Sequence, residues 1–136
     1  MAVSVLVDAG FLVALLHDRD ANHDWAVILA KQRLQPWSTC EAVLSEAFYL
    51  LRSQGVPALA TLIRRSAVDC PFHFNKDSEA VLGLMQKYAD VPMSFADACL
   101  VRMTEVLPNP LLLTTDTDFR IYRRLGRRTI PCALPA

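Results

Sequence analysis

Two apolar runs in this chain lead into aspartate. Residues 2–7 run into Asp8, and residues 111–115 run into Asp116, with Asp118 two positions further. An apolar run without alternation marks a strand buried on both faces. Ligands collect at the carboxyl ends of strands in an open parallel sheet. Asp8 and Asp116 are therefore expected on one rim, although each also suits the cap of a following helix. Glu46 lies three residues after Val43 and four before Leu50, on an apolar stripe that also holds Ala47 and Leu51. A lone carboxylate on such a stripe is costly unless it is paired, protonated or bound to a cation; the alternative is an edge position that reaches solvent. Asp97 shares a helix face with Leu100, Val101 and Thr104, and it also suits the third helical position after a Ser94 cap.

Convergence of Asp8, Glu46, Asp97 and Asp116 would set four carboxylates against one another and raise some of their pKa values. A hard divalent cation relieves that repulsion, and all-oxygen donors favour Mg²⁺ or Mn²⁺. Such an ion lowers the pKa of bound water and stabilises charge at phosphorus. The residues thus point to hydrolysis of a phosphodiester without a nucleophilic side chain.

The elements that must position these groups alternate between strand and helix. Strands are predicted at 2–7, 35–38, 68–74, 111–115 and 129–133. Helices are predicted at 10–17, 25–34, from the Ser38 region to 53, and at 57–66, 76–88, 95–107 and 119–125. Ser38 and Glu41 have capping-box spacing, Gly55 is expected to end a helix, and Pro57 to open the next. Asn75 and Ser94 are further cap candidates, and Pro108-Asn109-Pro110 is a hard break. This order predicts an α/β fold: a central, mainly parallel sheet of four to five strands flanked by helices.

Composition narrows the remaining classes. The chain has 136 residues, enough for one domain, taken as 1–136. With 53% hydrophobic and 21% charged residues it is not disordered. Its 14 basic and 14 acidic residues cancel, which argues against coating nucleic acid by bulk charge. Cys40, Cys70, Cys99 and Cys132 are widely spaced and read as buried free thiols of a reducing cytoplasm. No apolar run is long enough to span a bilayer, so a cytoplasmic location without membrane contact is expected. His17, Asp18, Asp20, His23 and Asp24 read as a solvated loop, and His73 as a core or edge residue. Arg120, Arg123, Arg124, Arg127 and Arg128 directly follow the Asp116 block and either form a solvated basic face or grip RNA phosphates. Tyr122 among them suits packing or base stacking; Trp25, Trp37, Phe48 and Tyr49 suit a core or dimer surface.

Four blocks give the chain a family resemblance: residues 5–16 with His17, Asp20 and His23; residues 41–51; residues 93–98; and residues 113–119. In this order and spacing the sequence resembles PIN-domain proteins of the VapC toxin type over residues 4–134. The resemblance implies a single PIN-like domain and maps the family's acidic residues onto Asp8, Glu46, Asp97 and Asp116. It implies a Mg²⁺- or Mn²⁺-dependent ribonuclease acting on single-stranded RNA, usually a homodimer, blocked in toxin members by a small antitoxin. Many members carry Ser or Thr directly after the first aspartate; here Ala9 and Gly10 follow, so that contact is expected from Thr114 or Thr115.

On this basis Asp8, Asp97 and Asp116 are expected to hold the ion. Glu46 is expected to complete the pocket, through a bound water or a second metal, and to help orient the attacking water. Asp118 and Thr115 are candidate accessory residues, and Arg120, Arg123 and Arg124 candidate RNA contacts. The competing readings are a PIN-like module that binds RNA or protein without cleaving, and another Mg²⁺ phosphohydrolase using Asp116 and Asp118.

Overall fold

A computed structural model describes residues 2–136. The apolar run that leads into Asp8 forms β1 (Ser4–Val7), whose last three residues are buried. α1 (Ala9–Leu16) and α2 (His23–Gln32) follow, then β2 (Trp37–Ser38) and α3 (Glu41–Arg64). The chain continues through β3 (Val68–Asp69), α4 (Phe74–Lys87), α5 (Phe95–Val106) and β4 (Pro110–Leu113). A short 3-10 helix (Thr117–Arg120) leads to β5 (Arg123–Arg124), β6 (Arg128–Thr129) and β7 (Cys132–Ala133).

The sheet has the order β3-β2-β1-β4-β7, and every pairing within it is parallel. The expected α/β architecture, with a five-stranded parallel sheet flanked by helices, is therefore present. From β1 the chain first builds outward through β2 and β3, and later through β4 and β7 on the other side. The order thus reverses between β1 and β4, where an open parallel sheet leaves a crevice. Val7 pairs with Leu113, so Asp8 and Thr114 leave the sheet side by side.

The core lies against both sheet faces. Phe11 meets Trp25 and Trp37 edge to face, with ring centroids 5.9 and 5.6 Å apart. Trp37 is fully buried, Trp25 and Phe48 are partly buried, and Tyr49 is exposed. His23 Nδ1 bonds the Ala14 carbonyl at 2.8 Å, which gives that histidine a structural partner. No helix of the described residues is long and apolar enough to cross a membrane.

Several local expectations are corrected. Ser38 does not open a capping box, because β2 keeps it in the sheet opposite Leu6 and Asp69; Cys40 is the N-cap of α3. The predicted break near Gly55 falls at Arg52, whose φ of 55° kinks α3. Gly55 instead packs on the helix: a Cβ there would meet Leu51 Cδ2 at 2.5 Å. The strand predicted over 68–74 ends at Asp69, and α4 starts at Phe74 with His73, not Asn75, as its N-cap. The basic helix predicted over 119–125 is a 3-10 turn followed by the antiparallel β5–β6 hairpin. Gly126, at φ 84°, sits at its turn, a backbone conformation in which glycine carries no steric penalty. The predicted last strand divides between β6, which pairs with β5, and β7, which pairs with β4. All four cysteines are free, but only Cys40 and Cys99 are buried; Cys70 and Cys132 are half-buried.

Candidate metal centre

Asp8 leaves β1 in extended backbone and caps α1: its Oδ1 accepts the Phe11 amide at 2.8 Å. Its Oδ2 accepts from the buried hydroxyl of Thr114. The same Thr114 Oγ1 accepts the Asp116 amide at 2.9 Å. One hydroxyl thus fixes the separation of the first and last aspartates, and it is one of the two threonines predicted to replace the missing Ser/Thr after Asp8. Gly10 completes the exchange. A Cβ on residue 10 would come within 2.2 Å of Thr115 Oγ1, so glycine lets that hydroxyl press against the first turn of α1.

Asp97 is the third helical residue of α5 and forms the predicted capping box with Ser94. Its Oδ2 accepts the Ser94 amide at 3.3 Å and lies 3.3 Å from the hydroxyl of Tyr122. Tyr122 is fully buried and not free to stack a base; its hydroxyl also lies 3.1 Å from the Pro92 carbonyl. The sequence reading missed this contact with Asp97. The signal was present: a buried tyrosine must find a partner for its hydroxyl. Asp116 caps the 3-10 helix, accepting the Asp118 amide at 2.9 Å.

Asp8, Glu46, Asp97 and Asp116 all line one cleft of about 190 Å³, together with Gly10 and Thr115. The capping roles weighed as alternatives are therefore real for three of these carboxylates, and compatible with a shared site. Glu46 needs a correction. The buried stripe of α3 is Val43, Ala47 and Leu51, while Glu46 is exposed at its edge. It reaches the cleft from the rim and carries no burial cost. Asp118 is half-buried and lies outside the cleft lining.

Electrostatics follow burial. Removal from water pushes the Asp8 carboxyl from 3.8 up to about 6; the Thr114 and Phe11 bonds oppose this, while the Asp116 and Asp97 charges add to it. Burial also raises Asp97, against its Ser94 bonds and with the charge of Asp116. No lysine or arginine lines the cleft among the described residues. The ion pairs between described side chains join Arg102 to Asp77 and Glu105, away from it. The donors are thus oxygens with uncompensated negative charge, a set that fits Mg²⁺ or Mn²⁺ and not a soft metal. Among the described residues, however, no three His, Cys, Asp or Glu side chains stand together in metal-ligating geometry. The carboxylates share the cleft without already being drawn around one point.

The arginines divide. Arg123 Nη1 donates to the carbonyls of Arg120, Ile121 and Tyr122 at 2.7–3.1 Å. Arg124 donates through Nε and Nη2 to the Thr104 carbonyl at 3.2 and 2.5 Å, tying the hairpin to α5. Arg120 is exposed.

A sequence model of the PIN domain matches residues 5–125. Among solved structures, the crystal structure of Mycobacterium tuberculosis VapC20, a toxin that cleaves the sarcin–ricin loop, superposes with a TM-score of 0.65. The two are 24% identical, and the alignment covers 80% of this chain and 87% of the other. That likeness establishes the fold. No curated protein matches the sequence.

Proposed function

This chain belongs to the PIN-domain family, and from that premise we propose that it is a divalent-metal-dependent endoribonuclease. Its substrate is single-stranded RNA, and it acts in the cytoplasm as the toxin of a toxin–antitoxin pair. One observation carries the reading: carboxylates from four separate parts of the chain line one cleft at the sheet's switch point, with no basic side chain there to neutralise them.

Asp8, Asp97 and Asp116 would hold Mg²⁺ or Mn²⁺; protein donors fix both oxygens of Asp8 and one oxygen each of Asp97 and Asp116. The ion, when bound, would supply charge stabilisation at phosphorus and a lowered pKa for water. Thr114 keeps Asp8 and Asp116 in register, and the Ser94 and Tyr122 donors orient Asp97. Glu46, exposed at the rim, is placed to orient the attacking water and to accept its proton. Thr115 is available as an accessory oxygen at the cleft wall, and Asp118 supports Asp116 through its backbone. Arg120 is the leading candidate to hold an RNA phosphate, with Arg123 and Arg124 contributing those N–H groups not engaged by backbone carbonyls. Leu50 in the cleft lining and Tyr49 beside it are exposed; this apolar rim supports a homodimer contact or cover by an antitoxin.

The test is Asp8→Asn in a contaminant-free preparation. Loss of Mn²⁺-dependent cleavage of a single-stranded RNA, with folding intact, is expected. Unchanged cleavage would remove Asp8 from the mechanism. RNA binding without cleavage by the wild-type protein, in either metal, would replace the nuclease with a binding module.

A further inference from the structure

Phe95 opens α5, two residues before Asp97. It and Tyr49 are the exposed aromatic side chains among the described residues. A phenyl ring left in water forgoes the burial that would stabilise the fold, and the two rings differ in what covers them. The Arg52 guanidinium lies over the Tyr49 ring, 5.7 Å from its centroid. Phe95 meets Phe74 edge to face, with ring centroids 5.1 Å apart. That contact occupies at most one face of the Phe95 ring and holds the ring in place. The space beside it is a groove that leads out of the acidic cleft. A hollow of about 510 Å³, between the starts of α3 and α5, shares Glu46 and Ala96 with the cleft. It shares Glu41, Ala42 and Phe95 with a further hollow of about 390 Å³. Phe95 thus stands where the two hollows meet. We infer that this groove receives an unstacked base of the RNA substrate, with Phe95 as the platform on which the base stacks; the inference rests on the reading of the cleft as a site that acts on RNA.

The chemistry of the lining selects the base over other parts of the nucleotide. Among the described residues, no lysine or arginine lines either hollow, and Glu41 and Glu46 are both acidic. A phosphate is repelled there, whereas a neutral base is not. The base offers a π-face to Phe95 and N–H groups to the Glu41 carboxylate, which lines both hollows. Each hollow also falls within the size of natural ligand pockets, about 300–1,000 Å³. Continuity with the cleft then orders the strand. A base in the groove leaves its own phosphate near Glu46 and Ala96, where groove and cleft join. A single strand can turn a base out in this way, and a duplex can do so only by breaking a pair. Phe95 is therefore a specificity-determining residue that favours unpaired RNA. Stacking is sequence-tolerant, since every base has a π-face.

The experiment irradiates the full chain with Mn²⁺ and a short single-stranded RNA carrying 5-iodouridine, which cross-links to aromatic rings it stacks on, and maps the adduct by mass. The adduct is expected on Phe95. Binding of end-labelled RNA, read by stopped-flow anisotropy before cleavage proceeds, should weaken about 5- to 150-fold in Phe95→Leu and recover in Phe95→Trp. Phe95→Leu should keep the wild-type Mn²⁺ affinity and the wild-type cleavage rate at saturating RNA, so the loss falls on KM and not on kcat. Unchanged RNA affinity in Phe95→Leu, an adduct confined to other residues, or no RNA binding by the wild type overturns the inference. So does a loss of Mn²⁺ affinity in Phe95→Leu equal to its loss of RNA affinity, because Phe95 would then act through Asp97. Should Phe95→Leu fold poorly, the wild-type adduct still decides. RNA bound and cross-linked at Phe95 yet never cut would remove the nuclease reading and leave the platform standing.

Discussion

The acidic cleft and the arginine hairpin are both dense in charge, yet the fold treats them in opposite ways. In the cleft, hydrogen bonds from Thr114, Ser94 and the Phe11 amide hold carboxylates in place without neutralising them. In the hairpin, the guanidinium groups of Arg123 and Arg124 are turned back onto backbone carbonyls. A charge held by neutral donors remains available to a ligand. A charge bound to the fold's own backbone acts first on stability. The arginine-rich segment is conspicuous in the sequence, but the availability of each charge depends on its partners.

Breaking this contrast at the acidic side should have the largest effect. Asp8→Asn keeps the size of the side chain and its cap on α1. Metal-dependent RNA cleavage should fall at least about a thousandfold in single-turnover assays. A second consequence concerns stability. Because the Asp8 pKa is raised to about 6 in the folded protein, the native state keeps a proton that the unfolded chain releases between pH 4 and 6. The contribution of Asp8 to the stability of the metal-free protein is therefore fully present below about pH 4 and is lost as pH rises through 6. The loss attributable to Asp8 is about 3 kcal/mol at most. Urea unfolding across this range should show the decline in the wild type and a flatter profile in Asp8→Asn; identical profiles would contradict the assignment.

Thr114→Val should leave the fold but loosen Asp8 from Asp116. Mn²⁺ affinity is expected to fall about 10- to 100-fold, the usual range for residues that orient metal ligands, and Thr114→Ser should restore it. On the basic side the effects invert. Arg124→Ala should lower stability by about 1–2 kcal/mol through loss of its charge-assisted bonds to the Thr104 carbonyl, while kcat of the folded fraction is retained. The smallest effect is expected for Arg120→Ala: unchanged stability, and a slope of RNA affinity against salt reduced by about one. If Arg120→Ala instead unfolds the protein and Arg124→Ala weakens only RNA binding, the contrast fails.

How much of this was legible in the sequence can be argued from single residues. Asp8 and Asp116 were visible because a doubly buried strand has a fixed apolar signature, and the rim follows from parallel topology. Asp97 was visible because its capping box is local. Glu46 lines the cleft from the rim; a stripe drawn from spacing alone is wider than the face that is buried, and Glu46 lies at its exposed edge. Tyr122 was missed because its partner Asp97 is 25 residues away, and no local pattern encodes such a contact. Residues 119–125 read as a helix because arginine and leucine favour one, whereas Gly126 and the antiparallel pairing of 123–124 with 128–129 decide the outcome.

The central claim is that the cleft carboxylates share one divalent ion. Titration of metal-free protein with Mn²⁺, followed by electron paramagnetic resonance, tests it most directly. The account predicts a saturable site in the wild type that is weakened in Asp8→Asn, Asp97→Asn and Asp116→Asn alike. Saturable binding of equal affinity in all three variants, or no saturable binding by the wild type, would contradict it.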